Sequence, residues 1–84
     1  MVTVKFFGLL RVESGIKSVC VEADSVKALY GAVTAELVRL KPDCGITEKD
    51  LRTCTLSVNG TRCTARTRLR DGDTVILVPA AAGG

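Results

Sequence analysis

Few side chains in this chain of 84 residues could do covalent chemistry. There is no histidine, so neither a histidine base nor a nucleophile–histidine pair can be built. The four cysteines, Cys20, Cys44, Cys54 and Cys63, form no C-x-x-C pair. With that spacing and no histidine they do not read as zinc ligands. Their number would allow disulfides, but no export signal points to an oxidising compartment. Small apolar side chains filling space is the plainer reading. No phosphate-cradling glycine loop and no recognisable pair of catalytic carboxylates is present, so catalysis by this chain alone is not expected. What remains is the segment "VILVPAAAGG". There an apolar strand runs through Pro79, Ala80, Ala81 and Ala82 to Gly83 and Gly84, and the only charge is the Gly84 carboxylate.

Charge and composition bound the partners. The net charge is +3, too weak to indicate nucleic acid. Arg62, Arg66, Arg68 and Arg70 crowd one stretch, but no aromatic residue interleaves with them for base stacking. A solvated face explains them; a docking patch for an acidic partner is the sharper alternative. No apolar run approaches the roughly 18 residues of a membrane span. "MVTVKFFGLL", interrupted by Arg11, is too short and too alternating for a signal peptide. A soluble, cytoplasmic protein with no nucleic-acid or membrane partner is the expectation.

The elements that must carry the C-terminal arm can be read from periodicity. "VTVKFF", Val2 to Phe7, alternates as a strand, with Val2, Val4 and Phe6 on one face. Gly8 to Gly15 reads as a turn region. Lys17 to Ala23 reads as a second strand with Val19 and Val21 on one side, which makes an N-terminal hairpin. Asp24 and Ser25 are candidate N-caps for a helix whose stripe is Val26, Leu29, Val33, Leu37 and Leu40, stopped by Pro42. Gly31 weakens that helix; either close packing or chance would account for it. Asp43 to Arg52 reads as polar and irregular. Cys54 to Val58 is a third strand, with Leu56 and Val58 toward the core. Asn59-Gly60 is a strong turn signal, and Asp71-Gly72-Asp73 is another. In "TRCTARTRLR" Leu69 is the one large apolar anchor. Thr74 to Val78 is apolar on both faces, as a central strand is.

Strand, strand, helix, strand, turn, strand predicts a two-layer α+β domain in which the first and last strands pair in parallel at the sheet centre. This is a mixed sheet with one main helix packed on one face, the β-grasp arrangement of ubiquitin, with an extended C-terminal Gly-Gly tail. Residues 1–84 form one domain: a globular body over 1–78 and a reactive tail over 79–84. One helix covers one face only. Phe6 and Phe7 point in opposite directions, and Ile76 lies on a strand that is apolar on both sides. An uncovered apolar area is therefore expected, either a partner site or a surface that loops fold over.

"VKFFGLLRV", the "VNG" after the third strand, "LRDGDTVILVP" and the terminal Gly83-Gly84 together resemble the MoaD/ThiS family of ubiquitin-like sulfur carriers, over nearly the whole chain. The resemblance is closest to the small subunit of molybdopterin synthase. It implies that an E1-like adenylating enzyme uses ATP to convert the Gly84 carboxylate to an acyl-adenylate. A sulfur donor protein then supplies the sulfur that replaces AMP, leaving a thiocarboxylate. It also implies that Pro79, Ala80, Ala81, Ala82 and Gly83 thread the active site of a larger, MoaE-like subunit while Phe7 and Ile76 dock against it. No bound cofactor or metal is implied. The composition suits the chemistry. Glycines at 83 and 84 leave the carboxyl carbon open to attack. An extended run from Pro79 to Gly84 spans roughly 20 Å. Pro79 stops the strand ladder and stiffens the departure.

Two features depart from the family pattern. Alanines stand where a second proline and a serine are usual, and the chain is slightly basic where relatives are often acidic. Both leave the partner open. Three alternatives remain: a carrier for another pathway (thiamine, tRNA thiolation or cysteine), a ubiquitin-like modifier joined to target lysines through Gly84, or a β-grasp interaction module.

Overall fold

The computed structural model describes residues 1–64 and 66–79. Among them the chain forms five strands and three helices: β1 (Val2–Phe6), α1 (Gly8–Ser14), β2 (Ser18–Val21), α2 (Val26–Leu40), α3 (Glu48–Arg52), β3 (Thr55–Val58), β4 (Thr61–Arg62) and β5 (Thr74–Val78). The sheet order is β2-β1-β5-β3-β4. β1 and β5 pair in parallel, with Val4 opposite Val75 and Phe6 opposite Leu77. β2 and β3 flank them antiparallel. This is the expected mixed β-grasp sheet, with its most apolar strand at the centre. Among the described residues no helix is long and apolar enough to cross a membrane.

Alternation sorts the strands. Val2, Val4, Phe6, Val19, Val21, Leu56, Val75 and Leu77 are buried on one face. Against them α2 lays Val26, Leu29, Tyr30, Val33 and Leu37. The helix starts where Ser25 Oγ accepts the Ala28 N–H at 3.2 Å. That start is pinned by the arginine-rich stretch: Val26 N–H donates to the Thr67 carbonyl and Leu69 N–H to the Asp24 carbonyl. Leu69 thereby enters the core. Val58 packs on the core half-buried rather than inside it.

Four expectations need correction. Gly8 to Gly15 is not a turn but helix α1, closed by Gly15 at φ 70° with its N–H on the Arg11 carbonyl. It buries Leu10 and Ser14, and Ser14 Oγ accepts the Ile16 N–H at 3.1 Å. Asp43 to Arg52 is not wholly irregular. Thr47 and Asp50 form a capping box over α3, which buries Leu51, and Ile46 just before it is buried too. Leu40 does not complete the α2 stripe. It is exposed at the last residue of α2, and the buried stripe stops at Leu37. Cys20 does not fill space, since it faces solvent from β2. Cys44, Cys54 and Cys63 are half-buried against the core, and all four thiols are free.

Gly31 is not explained by close packing. A methyl there would meet only Glu48 Oε1, at 4.0 Å. Gly31→Ala should therefore stabilise the protein by about 0.5–1 kcal/mol through helix propensity alone, read as a higher midpoint in urea unfolding.

The Asn59-Gly60 turn carries φ values of 50° and 85°, both left-handed, as a tight hairpin between β3 and β4 requires. It is tied to the entry of β5. Thr74 N–H donates to Asn59 Oδ1 at 2.9 Å, and Asn59 Nδ2 donates to Asp73 Oδ1 at 3.0 Å. The Arg70 N–H and the Asn59 amide hold the Asp73 carboxyl below its ordinary value of 3.8. The Thr47 N–H and hydroxyl do the same for Asp50. A depressed folded-state pKa stabilises the fold above the ordinary value, and that contribution is lost as pH falls through the folded value. The thermal midpoint should thus drop on acidification below about pH 4, and Asp73→Asn should flatten that drop while lowering the midpoint at neutral pH. Thermal melts across the acid range measure both.

Candidate functional site

The face of the sheet opposite α2 is uncovered among the described residues. Register and alternation place Lys5, Ile76, Ser57 and Arg62 in one row across it, with Ser18 at the β2 end. A second row holds Cys20, Thr3 and Thr74, where Thr3 Oγ1 and Cys20 Sγ lie 3.8 Å apart. The third row is apolar. Phe7 continues β1 in extended geometry (φ −131°, ψ 162°), and its N–H donates to the Leu77 carbonyl at 3.1 Å. That register sets Phe7 beside Val78, whose other neighbour is Thr55. Phe7 and Val78 are each 42% exposed, a large fraction for apolar side chains in the middle of a sheet. With half-buried Ile76 they make an apolar strip flanked by the cations Lys5 and Arg62. No acidic residue shares these rows.

The strip ends where the arm begins. Pro79 follows Val78 directly and packs on Gly8. A methyl placed on Gly8 would lie 3.5 Å from Pro79 Cδ. Gly8 also sits at φ 61°, so the chain can turn from β1 into α1 at this point without strain. Pro79 cannot donate a ladder hydrogen bond, so β5 ends there. The structure thus gathers three of the residues singled out from the sequence, Phe7, Ile76 and Pro79, around one exit point. Ala80, Ala81, Ala82, Gly83 and Gly84 lie outside the described residues. Val78 and Gly8 were missed by sequence reasoning. The alternation of β5 was the available signal for Val78. For Gly8 the signal was a glycine directly after an aromatic strand end.

The rest of the surface offers little other chemistry. Burial pushes the Cys54 and Cys63 thiols up, which leaves less of the nucleophilic thiolate at neutral pH. Burial likewise raises the Tyr30 phenol. Among the described residues no three cysteines or acidic residues gather as a metal site. Arg62, Arg66, Arg68 and Arg70 are all exposed. They do not form one patch by register: Arg62 is on the open face, whereas Arg68 bridges to Ser25 at the start of α2.

Comparison with known proteins agrees with this geometry. The CysO protein in the Amycolatopsis orientalis BexX/CysO complex superposes with a TM-score of 0.71 at 29% identity, covering 100% of both chains. CysO of Mycobacterium tuberculosis gives 0.73 at 26% identity, over 96% of this chain and 100% of that one. In the complex of subunits 1 and 2 of molybdopterin-converting factor from Helicobacter pylori 26695, the matching chain gives 0.60 at 28% identity, over 99% and 97%. No curated protein matches the sequence. The ThiS family profile matches residues 4–84, nearly the whole sequence. By that match and by its β-grasp sheet, the chain belongs to the ThiS family, the MoaD/ThiS group of ubiquitin-like sulfur carriers.

Proposed function

We propose that the protein carries sulfur as a thiocarboxylate on Gly84 and delivers it as the small subunit of a molybdopterin synthase. The observation that carries this reading is the apolar strip of Phe7, Ile76 and Val78 leading directly into a side-chain-poor arm at Pro79. A partner that covers the strip receives the arm in a fixed direction. The chemistry falls to the partners. A Gly84 carboxylate oxygen attacks the α-phosphorus of ATP in an E1-like adenylating enzyme, and pyrophosphate leaves. A hydrosulfide released by a sulfur donor protein then attacks the carboxyl carbon, the C–S bond forms and AMP leaves, giving the thiocarboxylate. In the larger synthase subunit the thiocarboxylate sulfur bonds to a pterin precursor, and water attacking the acyl carbon breaks the C–S bond and returns the Gly84 carboxylate. In this scheme the chain itself binds no cofactor, works in the cytoplasm, and supplies the reacting carbon and the docking surface.

Mass spectrometry of the protein purified from its own host tests the reading. A gain of ~16 Da on the intact chain, sulfur for oxygen at the covalently activated carboxyl, supports it. Target-linked conjugates through Gly84 would instead make the protein a modifier. The two CysO proteins superpose with higher TM-scores than the molybdopterin-converting factor subunit does. They favour a second reading, a thiocarboxylate carrier serving another pathway, such as cysteine. Assay of sulfur transfer from the loaded protein to each acceptor system separates the two.

The strip has its own test. Phe7→Asp alters an exposed side chain, so the thermal midpoint should move by only a few degrees. Association with the arm-receiving subunit should weaken by about 30-fold, as for loss of an aromatic anchor worth about 2 kcal/mol. Titration calorimetry reads the difference.

A further inference from the structure

Helix α1 buries Leu10 and Ser14 and turns its opposite side outward. Gly8, Arg11, Val12 and Gly15, spaced i, i+3, i+4 and i+7, line that side. With Lys17 they enclose an open hollow of about 450 Å³. Two of the five lining residues lack side chains, so the walls are low. Val12 is 75% exposed, the largest exposure of any large apolar side chain described. Arg11 and Lys17 flank it, and a third cation stands at the far end: a methyl on Gly15 would lie 3.9 Å from Lys41 Cε. The ion pairs among the described residues are Met1–Asp71, Arg39–Glu36 and Arg52–Glu48, and none of the three cations takes part. At its other end the hollow begins at Gly8, the residue on which Pro79 packs. The hollow and the start of the arm thus share Gly8 as a neighbour.

An exposed apolar side chain among unpaired cations fits an acidic peptide better than a small hydrated anion. Carboxylates can meet Arg11, Lys17 and Lys41 while an apolar side chain covers Val12. A phosphate would leave Val12 uncovered against its own hydration shell. No aromatic residue lines the hollow, so it offers no stacking platform for bases. We infer that the hollow is a docking site for an acidic segment, with an apolar residue between carboxylates, on the enzyme that receives the arm. The inference rests on the carrier reading above for the identity of that enzyme, not for the binding chemistry.

The test uses the full chain and a defined probe, the capped peptide Glu-Glu-Leu-Glu-Glu, followed by amide NMR. Saturable shifts are expected at Gly8, Arg11, Val12, Gly15 and Lys17. Affinity should fall about tenfold in the double variant Arg11→Glu, Lys17→Glu, and severalfold in Val12→Ser. It should also fall with added salt. All three positions are exposed, so the variants should melt like the parent; Lys17→Gln offers a milder check. Shifts spread evenly over Arg62, Arg66, Arg68 and Arg70 would overturn the inference, as non-specific charge attraction. So would pyrophosphate acting on the same residues at lower concentration than the peptide. A chain lacking Gly84 should bind the peptide unchanged. An absent ~16 Da gain on the intact protein therefore sinks the carrier reading alone, and absent peptide binding sinks the hollow alone.

Discussion

Deletion of Gly84 is expected to abolish sulfur loading and transfer while leaving the fold at full stability. The shortened chain still ends in a glycine carboxylate, so the chemistry of the group is unchanged. Its position is not: the reacting carbon retreats by about 3.5 Å, one residue of extended chain. A misplacement of about 1 Å can cost a hundredfold in an enzyme site, so loss of at least about a hundredfold follows in either partner. The globular body should not notice, because the core ends at Leu77 and the last contact described for the arm is Pro79 on Gly8. Two measurements check this: the ~16 Da mass gain, which should vanish with the activated carboxyl, and the thermal midpoint, which should stay. A truncated chain that still loads sulfur would remove Gly84 from the mechanism.

Phe6→Ala should produce the largest stability loss of any single core change. Phe6 is 1% exposed on the strand next to β5, opposite Leu77, on the face that α2 covers. Truncating a buried phenylalanine costs about 3–5 kcal/mol, from lost transfer energy and the cavity left behind. A domain of this length has a total stability of roughly 4–12 kcal/mol. The variant should therefore melt about 15–30 °C lower and populate unfolded chain at physiological temperature. Its neighbour provides the contrast. Phe7, one residue on and facing the other way, is expected to matter for docking and little for folding. Urea unfolding of both variants side by side separates the two roles.

Much of this division was legible in the sequence. The alternation of β1, the two-sided apolar character of β5 and the 3.6-residue stripe of α2 each reflect burial directly, so they carried the central parallel pair and the helix face, while β4 in the arginine-rich stretch left no such pattern. What was not legible depended on partners distant in sequence or on local capping. Helix α1 has no side-chain N-cap, and its start depends on Gly8 adopting positive φ beside Pro79, a residue some seventy positions away. Helix α3 left only the signal of its caps, Thr47 and Asp50, which the reading of 43–52 as irregular passed over. The acidic residue of its capping box is an aspartate rather than the usual glutamate, and five residues give no periodicity. Leu40 matches the α2 stripe by spacing, but spacing cannot say at which turn the helix stops being covered. The exit point at Phe7, Ile76 and Pro79 could be anticipated by face. The hollow beside it could not, because it depends on α1 being a helix.

The parallel pairing of β1 with β5 has a consequence for how the protein comes into being. The strand at the centre of the sheet is the last of the five to be synthesised, and its neighbours β1 and β3 cannot form one sheet without it. Closing contacts between residues so far apart in the chain makes for slow folding relative to a helical protein of equal size. It also makes assembly all-or-none late in the process. Ile76 and Val78 reach the open face in the same event that fixes Pro79 against Gly8. A half-made or misfolded chain therefore has neither the strip nor the anchored start of the arm, and any partner that needs both would meet only finished molecules.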